Sequence, residues 1–207
     1  MTSDTTARSD SSGDARRSAI AAATRALIAE RGFEGLRTRD IAERVGINVA
    51  TLHYHVPSKE ALVALVAASL RDDFIAQRRD RPRDGLAPLA LLRLELGDFR
   101  ENLTDHPERL LVLAELSERA RRDEKIAAII RPLQAYWLAQ VAAIIAAGRD
   151  QGAFREDIDP QPAAAMIIGA LISFRRLAGD DFDQFDRLAA ELERAVVSPV
   201  SPRGPQE

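Results

Sequence analysis

Apolar residues recur at intervals of three and four along most of the chain, which is the spacing of one helical face. The first stripe contains Ile20, Ala23 and Leu27 and predicts a helix over 14–31 that Gly32 ends. No stretch of five residues alternates apolar and polar side chains in the way a half-buried strand would. The pattern therefore predicts an all-α protein with about nine helices.

The strongest local signals in the sequence belong to a pair of short helices near the N-terminus. Thr38 is placed to cap the first helix, Gly46 to stop it and Asn48 to cap the second. Leu52 and Val56 return to one buried face of the second helix. Its outer face lacks acidic residues and comprises Val49, Ala50, Thr51, His53, Tyr54 and His55. Such a face suits contact with base edges and phosphates.

Further helical stripes fill the rest of the sequence. Ser58 is a good N-cap for a long amphipathic helix over 59–79, and the charged run at 78–85 is the strongest linker signal. Pro132 is expected either to kink a later helix, capped by Asp123, or to start it afresh. The remaining helices are predicted at 86–105, 109–121, 123–147, 161–177 and 182–197.

These elements divide the sequence into four segments. We expect a disordered tail at 1–13, rich in Ser, Thr and Asp, and a Pro-rich disordered tail at 198–207. Between them we expect a helix-turn-helix DNA-binding domain at 14–60 and a larger helical domain at 61–197. The apolar core of the smaller domain is too small to make that domain stable by itself. The helix after Ser58 should therefore connect it to the larger domain.

Charge and composition limit the ligands and reactive groups that the sequence can support. The net charge is −3, yet 14–60 holds eight basic and six acidic residues, an imbalance in the direction of DNA binding. The absence of cysteine excludes disulfides, thiolate nucleophiles and sulfur-ligated metals. His53 and His55 lie about 200° apart on a helix and cannot chelate one ion. We expect no metal and no cofactor.

Targeting signals are not apparent in the sequence. No window approaches the roughly 18 uncharged apolar residues of a membrane span. The N-terminus lacks a basic segment followed by an apolar core, so no secretory signal is predicted. We therefore expect a cytoplasmic protein without a membrane partner.

The segment 37–62 resembles the TetR family of bacterial transcriptional regulators. Residues at the family's spacing include Thr38, Ile41, Ala42, Gly46, Thr51, Leu52, Tyr54, His55, Ser58, Lys59, Glu60 and Leu62. The run LHYHV at 52–56 is similar to the tetracycline-repressor branch, and 152–171 is weakly similar to the family's entry into its eighth helix. Three positions depart from the family: His53 replaces a commoner tyrosine, Ala50 a glycine and Val56 a phenylalanine.

The resemblance implies roles for individual residues. Val49, Ala50, Thr51 and His53 would face base edges in the major groove, while Thr38, Tyr54, His55 and Lys59 would hold phosphates. Arg39 and Asn48 complete the predicted DNA-binding set. The family also implies a homodimer on a near-palindromic operator, repression without ligand, and release by a small-molecule effector bound among the C-terminal helices.

The resemblance implies that 61–197 is a helical effector-binding and dimerisation domain, and its helices supply candidate residues for both roles. The aromatic and polar residues that could line an effector cavity are Phe99, His106, Tyr136, Trp137, Gln140 and Phe174, although aromatic residues at such spacing are more often plain core. The helix over 161–177 is apolar around much of its circumference and needs cover that a second subunit can provide. The predicted dimer residues are Ala165, Ile168, Gly169, Ile172, Phe185, Leu188 and Leu192.

Two alternatives accompany the ligand-responsive repressor. The DNA-binding regulator could be controlled by a partner protein or act without an effector. A helical-bundle enzyme would need a convergent acid, base or nucleophile, and the sequence offers only isolated histidines and scattered carboxylates. We therefore do not expect an enzyme.

Overall fold

The computed structural model describes residues 4–178 and 181–198, without the side chains of 4–12, Arg176 and Ala178. Within these ranges the chain forms nine α-helices and no strand, apart from one isolated antiparallel bridge between Phe154 and Val197. The helices are α1 (Asp4–Arg31), α2 (Thr38–Val45), α3 (Val49–His55), α4 (Lys59–Arg79), α5 (Pro88–Thr104), α6 (Pro107–Ala120), α7 (Glu124–Asp150), α8 (Pro160–Ala178) and α9 (Phe182–Val196). The all-α prediction is confirmed.

The termini differ from the segments predicted at the ends of the chain. Helix α1 begins at Asp4 rather than at 14, so part of the predicted N-terminal tail is helical. The physical reason is that a formed helix extends at little cost per residue, and no proline interrupts it before the apolar stripe. Of the predicted C-terminal tail, Ser198 donates its N–H to the oxygen of Ala153 at 3.3 Å, and 199–207 lie outside the described residues.

One internal helix signal requires correction, and one of two alternatives at Pro132 is excluded. Thr38 is the first residue of α2, while Arg37 holds the N-cap position and makes no side-chain capping bond. Pro132 lies inside α7, which continues through it to Asp150 instead of starting afresh. The Asp123 cap is confirmed, because its carboxylate accepts the N–H of Lys125 at 3.2 Å.

The chain separates into two compact units. The first contains the residues up to Asp80 together with Asp105–Leu133, and the second contains Arg81–Thr104 together with the residues from Gln134 onward. The boundary predicted between 60 and 61 therefore falls inside the first unit.

Two apolar clusters hold the first unit together. The smaller cluster joins α1, α2, α3 and the start of α4 through Ile20, Ala23, Leu27, Ile41, Ala42, Leu52, Val56 and Leu62. The larger cluster joins the end of α1 to α4, α6 and α7 through Ile28, Phe33, Val63, Val66, Ala67, Leu70, Val112, Leu116, Ile126 and Ile130. Helices α4 and α6 thus bury apolar surface beneath α1 and stabilise the position of the short helices.

Two arginines of the predicted linker form ion pairs with carboxylates of α5 in the second unit. Arg81 bonds Asp98 at 2.6 Å and also bonds Glu101. Arg83 bonds Glu95 at 2.8 Å and also bonds Asp98. Burial raises the pKa of Asp98 even though both guanidinium groups oppose that shift. The charged run that predicted a linker in the sequence is therefore held against α5 by its arginines, because the buried carboxylates on α5 need positive partners.

Helix α7 contradicts the expectation that no segment of the chain is apolar enough to span a membrane. An 18-residue window within Glu124–Asp150 has a mean hydropathy of 1.3 and at most two charged residues, and 28% of that window is buried. By length and composition alone the helix could cross a membrane. One such helix is weak evidence, since core helices of soluble proteins have the same composition.

A close contact between α7 and the following loop generates a stability prediction. A Cβ atom on Gly148 would lie 2.0 Å from the ring of Phe154, which is 1% exposed. We expect Gly148→Ala to lower the free energy of unfolding by about 1–3 kcal/mol through overpacking, although alanine normally favours a helix.

The matched control for this prediction is Gly97 in α5. A Cβ there meets only Arg81, at the ordinary distance of 3.7 Å. Gly97→Ala should therefore raise the free energy of unfolding by up to about 1 kcal/mol. Equal effects of the two substitutions in urea titrations would contradict the assigned packing.

Candidate nucleic-acid interface

The turn between α2 and α3 fixes the direction in which α3 leaves. Gly46 has φ 73°, a left-handed conformation that glycine adopts without strain. Its N–H donates to the oxygen of Glu43 at 3.1 Å, and the N–H of Ile47 donates to the oxygen of Ala42 at 2.9 Å. This pair of bonds is the Schellman arrangement that ends a helix. The helix stop predicted at Gly46 is confirmed.

Helix α3 is held by its cap and by its buried face. The side chain of Asn48 accepts the N–H of Thr51 at 2.7 Å, which confirms the predicted N-cap. Leu52 and Val56 are buried, with 2% and 6% of their surface exposed. Because these two residues turn inward, the opposite face of α3 must point to solvent.

The predicted DNA-contacting residues of α3, both those for base edges and those for phosphates, lie on that outer face and differ in their exposure. Ala50, His53 and Tyr54 are exposed, and Tyr54 keeps 84% of its surface open. Val49 is half-buried and packs partly against the apolar cluster beneath it. Thr51 and His55 are also half-buried. Ala50, His53 and Tyr54 therefore form the most accessible part of the face.

Two of the four predicted phosphate-holding residues, Thr38 and Lys59, lie at helix starts, while Tyr54 and His55 lie at the end of α3. Lys59 is the first residue of α4, and the hydroxyl of Ser58 caps that helix by accepting the N–H of Ala61 at 3.1 Å. Thr38 is the first residue of α2. Helix starts carry partial positive charge and free N–H groups, which favour anions.

A shallow groove brings these positions together. It has a volume of about 390 Å³, and its lining includes Thr38, His53, Ser58 and Lys59 over a floor that contains Phe33. The ammonium of Lys59 lies 4.6 Å from the centre of the Phe33 ring. Residues from α2, α3 and α4 thus border one groove beside the exposed face of α3. Arg39 is also exposed, on α2.

One contribution to this surface was missed in the sequence. The guanidinium of Arg17 on α1 donates to the backbone oxygen of His55 at 3.3 Å. A cation at the C-terminal end of α3 interacts favourably with the helix dipole. Its hydrogen bond also satisfies one of the carbonyl groups that end the helix. No spacing signal could have revealed the pair, because the two residues are far apart in the sequence.

The predicted effector residues are only partly brought together. Phe99 stacks on Trp137 with ring centres 5.9 Å apart, and Phe174 meets Phe185 edge to face at 5.2 Å. Phe99 also stacks on Phe185 at 6.1 Å, so these four rings form one aromatic cluster in the second unit. Of the other three predicted residues, Gln140 is half-buried on α7, Tyr136 is 48% exposed, and His106 belongs to the first unit.

The predicted dimer residues separate into two groups. Ala165, Gly169 and Ile172 lie on the solvent side of α8, where Ile172 is 54% exposed. Ile168 and Leu188 are half-buried. Phe185 and Leu192, by contrast, are 1% and 6% exposed and pack inside their own chain. Helical spacing identified the apolar side of α9, but the core of the second unit already covers that side.

The fold and the site together define a class of protein. An all-helical chain that presents a capped, solvent-facing helix after a tight glycine turn is a helix-turn-helix protein. The family model described as bacterial regulatory proteins of the tetR family matches residues 20–66, which contain α2, α3 and the start of α4. Over this domain the chain is similar to the TetR family of transcriptional regulators.

Curated relatives and a solved structure agree with this assignment. The HTH-type transcriptional repressor KstR2 of Rhodococcus jostii (strain RHA1) is 26% identical over 74% of this chain and 76% of its own length. The HTH-type transcriptional regulator RutR of Escherichia coli (strain K12) is 25% identical over 96% of this chain and 97% of its own length. A crystal structure of a TetR-family regulator from Rhodococcus sp. has a TM-score of 0.79 and 26% identity, covering 88% of this chain and 99% of that one.

Proposed function

We propose that this regulator is a homodimeric repressor that binds a near-palindromic operator and is released by a small-molecule effector. The observation that carries the proposal is the acid-free outer face of α3, bordered by a groove to which Lys59 and the first residue of α2 both contribute. Such a surface offers hydrogen-bond donors and a lysine ammonium to a phosphate backbone, beside a helix of suitable size for the major groove. Repression agrees with the function named for KstR2.

The residue roles follow from exposure and chemistry. His53, with Ala50 beside it, is accessible for contact with base edges, and Val49 and Thr51 present smaller exposed surfaces. Tyr54 and His55 can donate hydrogen bonds to phosphates, as can Thr38, Arg39 and Lys59. Asn48 uses its amide oxygen to cap α3, which leaves its amide N–H₂ group for the nucleic acid.

A second copy of the chain is the proposed cover for α8. The exposed apolar side chains of Met166, Ile172 and Leu177 lie on the same helix as the small residues Ala165 and Gly169. Small residues allow close approach of two helices, and the larger ones supply apolar area. A two-fold dimer would present two copies of α3 to half-sites about one turn of DNA apart.

The second unit is the proposed effector site. Phe99, Trp137 and Phe174 provide aromatic walls, and Gln140 provides an amide nearby in the sequence of α7. This composition suits an apolar or aromatic small molecule with few polar groups. Control by a partner protein is the second candidate, and the exposed apolar side chains of α8 and α7 would serve it.

The function as a whole is tested with DNA from directly upstream of the gene. Binding should weaken steeply as salt rises, because phosphate contacts release counterions. A cell extract or metabolite library that releases the chain from this DNA would identify the effector. Binding that stays flat across the salt series would overturn the proposal.

Lys59 is expected to contribute to affinity without contributing to sequence preference. Lys59→Ala should weaken binding to operator and unrelated DNA by similar factors, and should lower the slope of log affinity against log salt by about 1. Fluorescence anisotropy with both DNAs measures this. A change of preference between the two DNAs would contradict the role of Lys59.

His53 is expected to behave in the opposite way. His53→Ala should change the preference at one base pair per half-site by about 1–3 kcal/mol and leave the salt slope nearly unchanged. Competition binding with a set of singly substituted operators provides the measurement. Uniform weakening across the set would show that His53 does not read a base.

The dimer assignment predicts an effect of charge on α8. Ile172→Arg should convert the dimer to a monomer in sedimentation velocity and lower operator affinity, because the new charge would be buried at the interface. Ala128→Arg places the same charge at an exposed site on α7 and serves as the control. A dimer that persists in the Ile172 variant would contradict the assigned interface.

A further inference from the structure

Helix α6 contacts the turn that follows α1 through two of its side chains. The carboxylate of Glu115 accepts the N–H of Phe33 at 3.0 Å. One helical turn later, the guanidinium of Arg119 bonds the carboxylate of Glu34 at 2.8 Å. Both bonds are made to the short segment that links α1 to α2. Helix α6 therefore bonds directly to the segment between α1 and α2, which precedes the DNA-binding surface in the sequence.

Phe33 connects this contact to Lys59. Its N–H is held by Glu115, and its ring is 5% exposed and lies 4.6 Å from the ammonium of Lys59. A cation over an aromatic face at this distance is attracted to the ring. The position of the Lys59 ammonium thus depends on where the Phe33 ring lies, and the ring depends on a backbone that Glu115 fixes.

Simple electrostatics does not explain the placement of Glu115. A carboxylate beside the C-terminal end of α1 faces the negative end of the helix dipole. A negative charge on a DNA-binding unit also opposes DNA binding. The glycine at 32 leaves space for this carboxylate, because a Cβ there would lie 3.3 Å from its oxygen. The gain that offsets these costs is the hydrogen bond to Phe33.

We propose that Glu115 is a positioning residue for Lys59, through the backbone and ring of Phe33. The inference rests on the proposed function, in which Lys59 binds a phosphate. Helix α6 then influences the DNA-binding surface directly at the α1–α2 turn, in addition to its packing against α4. Loss of the bond lets the turn relax and moves the Lys59 ammonium out of register with the phosphate.

Two substitutions at the same position separate the bond from the charge. Glu115→Ala and Glu115→Gln remove the same negative charge, but glutamine keeps an oxygen that can accept the N–H of Phe33. Glu118→Ala is the control on the same helix, because that carboxylate faces Arg121 and Arg122 instead. Removal of charge alone should raise affinity for DNA slightly, as Glu118→Ala should show.

The measurement is the affinity of each full-length variant for the upstream DNA across a salt series. We expect Glu115→Ala to bind about 3- to 10-fold more weakly than Glu115→Gln, with a salt slope shifted toward that of Lys59→Ala. In a Lys59→Ala background the two Glu115 variants should bind equally. Phe33→Leu, which keeps the N–H and removes the ring, should also abolish their difference.

Two results would overturn the proposal while leaving the proposed function intact. One is equal affinity of Glu115→Ala and Glu115→Gln when Lys59 is present and Lys59→Ala itself weakens binding. The other is a difference between them that persists without Lys59. If Lys59→Ala leaves DNA binding unchanged, the phosphate role of Lys59 fails and the proposal for Glu115 fails with it.

Discussion

The structure depends most on the burial of one face of α3. A helix as short as Val49–His55 does not hold its shape alone in water. It exists because Leu52 and Val56 are covered by α1, α2 and the start of α4, and because Asn48 and Gly46 fix its beginning and the turn before it. The same burial leaves the opposite face to solvent. The surface proposed to read DNA is thus a consequence of the core beneath it.

This support reaches well beyond the short helices. Phe33 and the end of α1 are buried against Val112 and Leu116 of α6, which lies after the segment 81–104 that belongs to the second unit. Arg25 on α1 bonds Asp73 on α4 at 2.6 Å and Glu108 on α6 at 3.4 Å, which adds polar contacts between the same helices. The DNA-binding surface is therefore supported by α1, α4, α6 and α7, and a change in α6 would affect it through direct contacts.

The sequence predicted what local chemistry determines and missed what depends on distant packing. The glycine turn and the caps at Asn48 and Ser58 were predictable because each signal lies within four residues of its partner. Helical spacing also identified the apolar side of α9, but not that Phe185 and Leu192 would be covered by their own chain. The Arg17–His55 and Glu115–Phe33 bonds join residues far apart in sequence, so no periodic pattern contains them. The roles of the interface residues toward DNA remain predictions.

The entry of α3 into the major groove can be measured by protection of guanine N7 from methylation in the upstream DNA, because that atom lies in the major groove. If the outer face of α3 enters the major groove in each half of a dimer, two groups of guanines about one helical turn apart become protected when the chain binds. Protection should disappear when the α3 face is disrupted by His53→Glu, and the fold should remain unchanged by circular dichroism. Bound DNA whose guanines stay fully reactive would show that α3 does not enter the major groove.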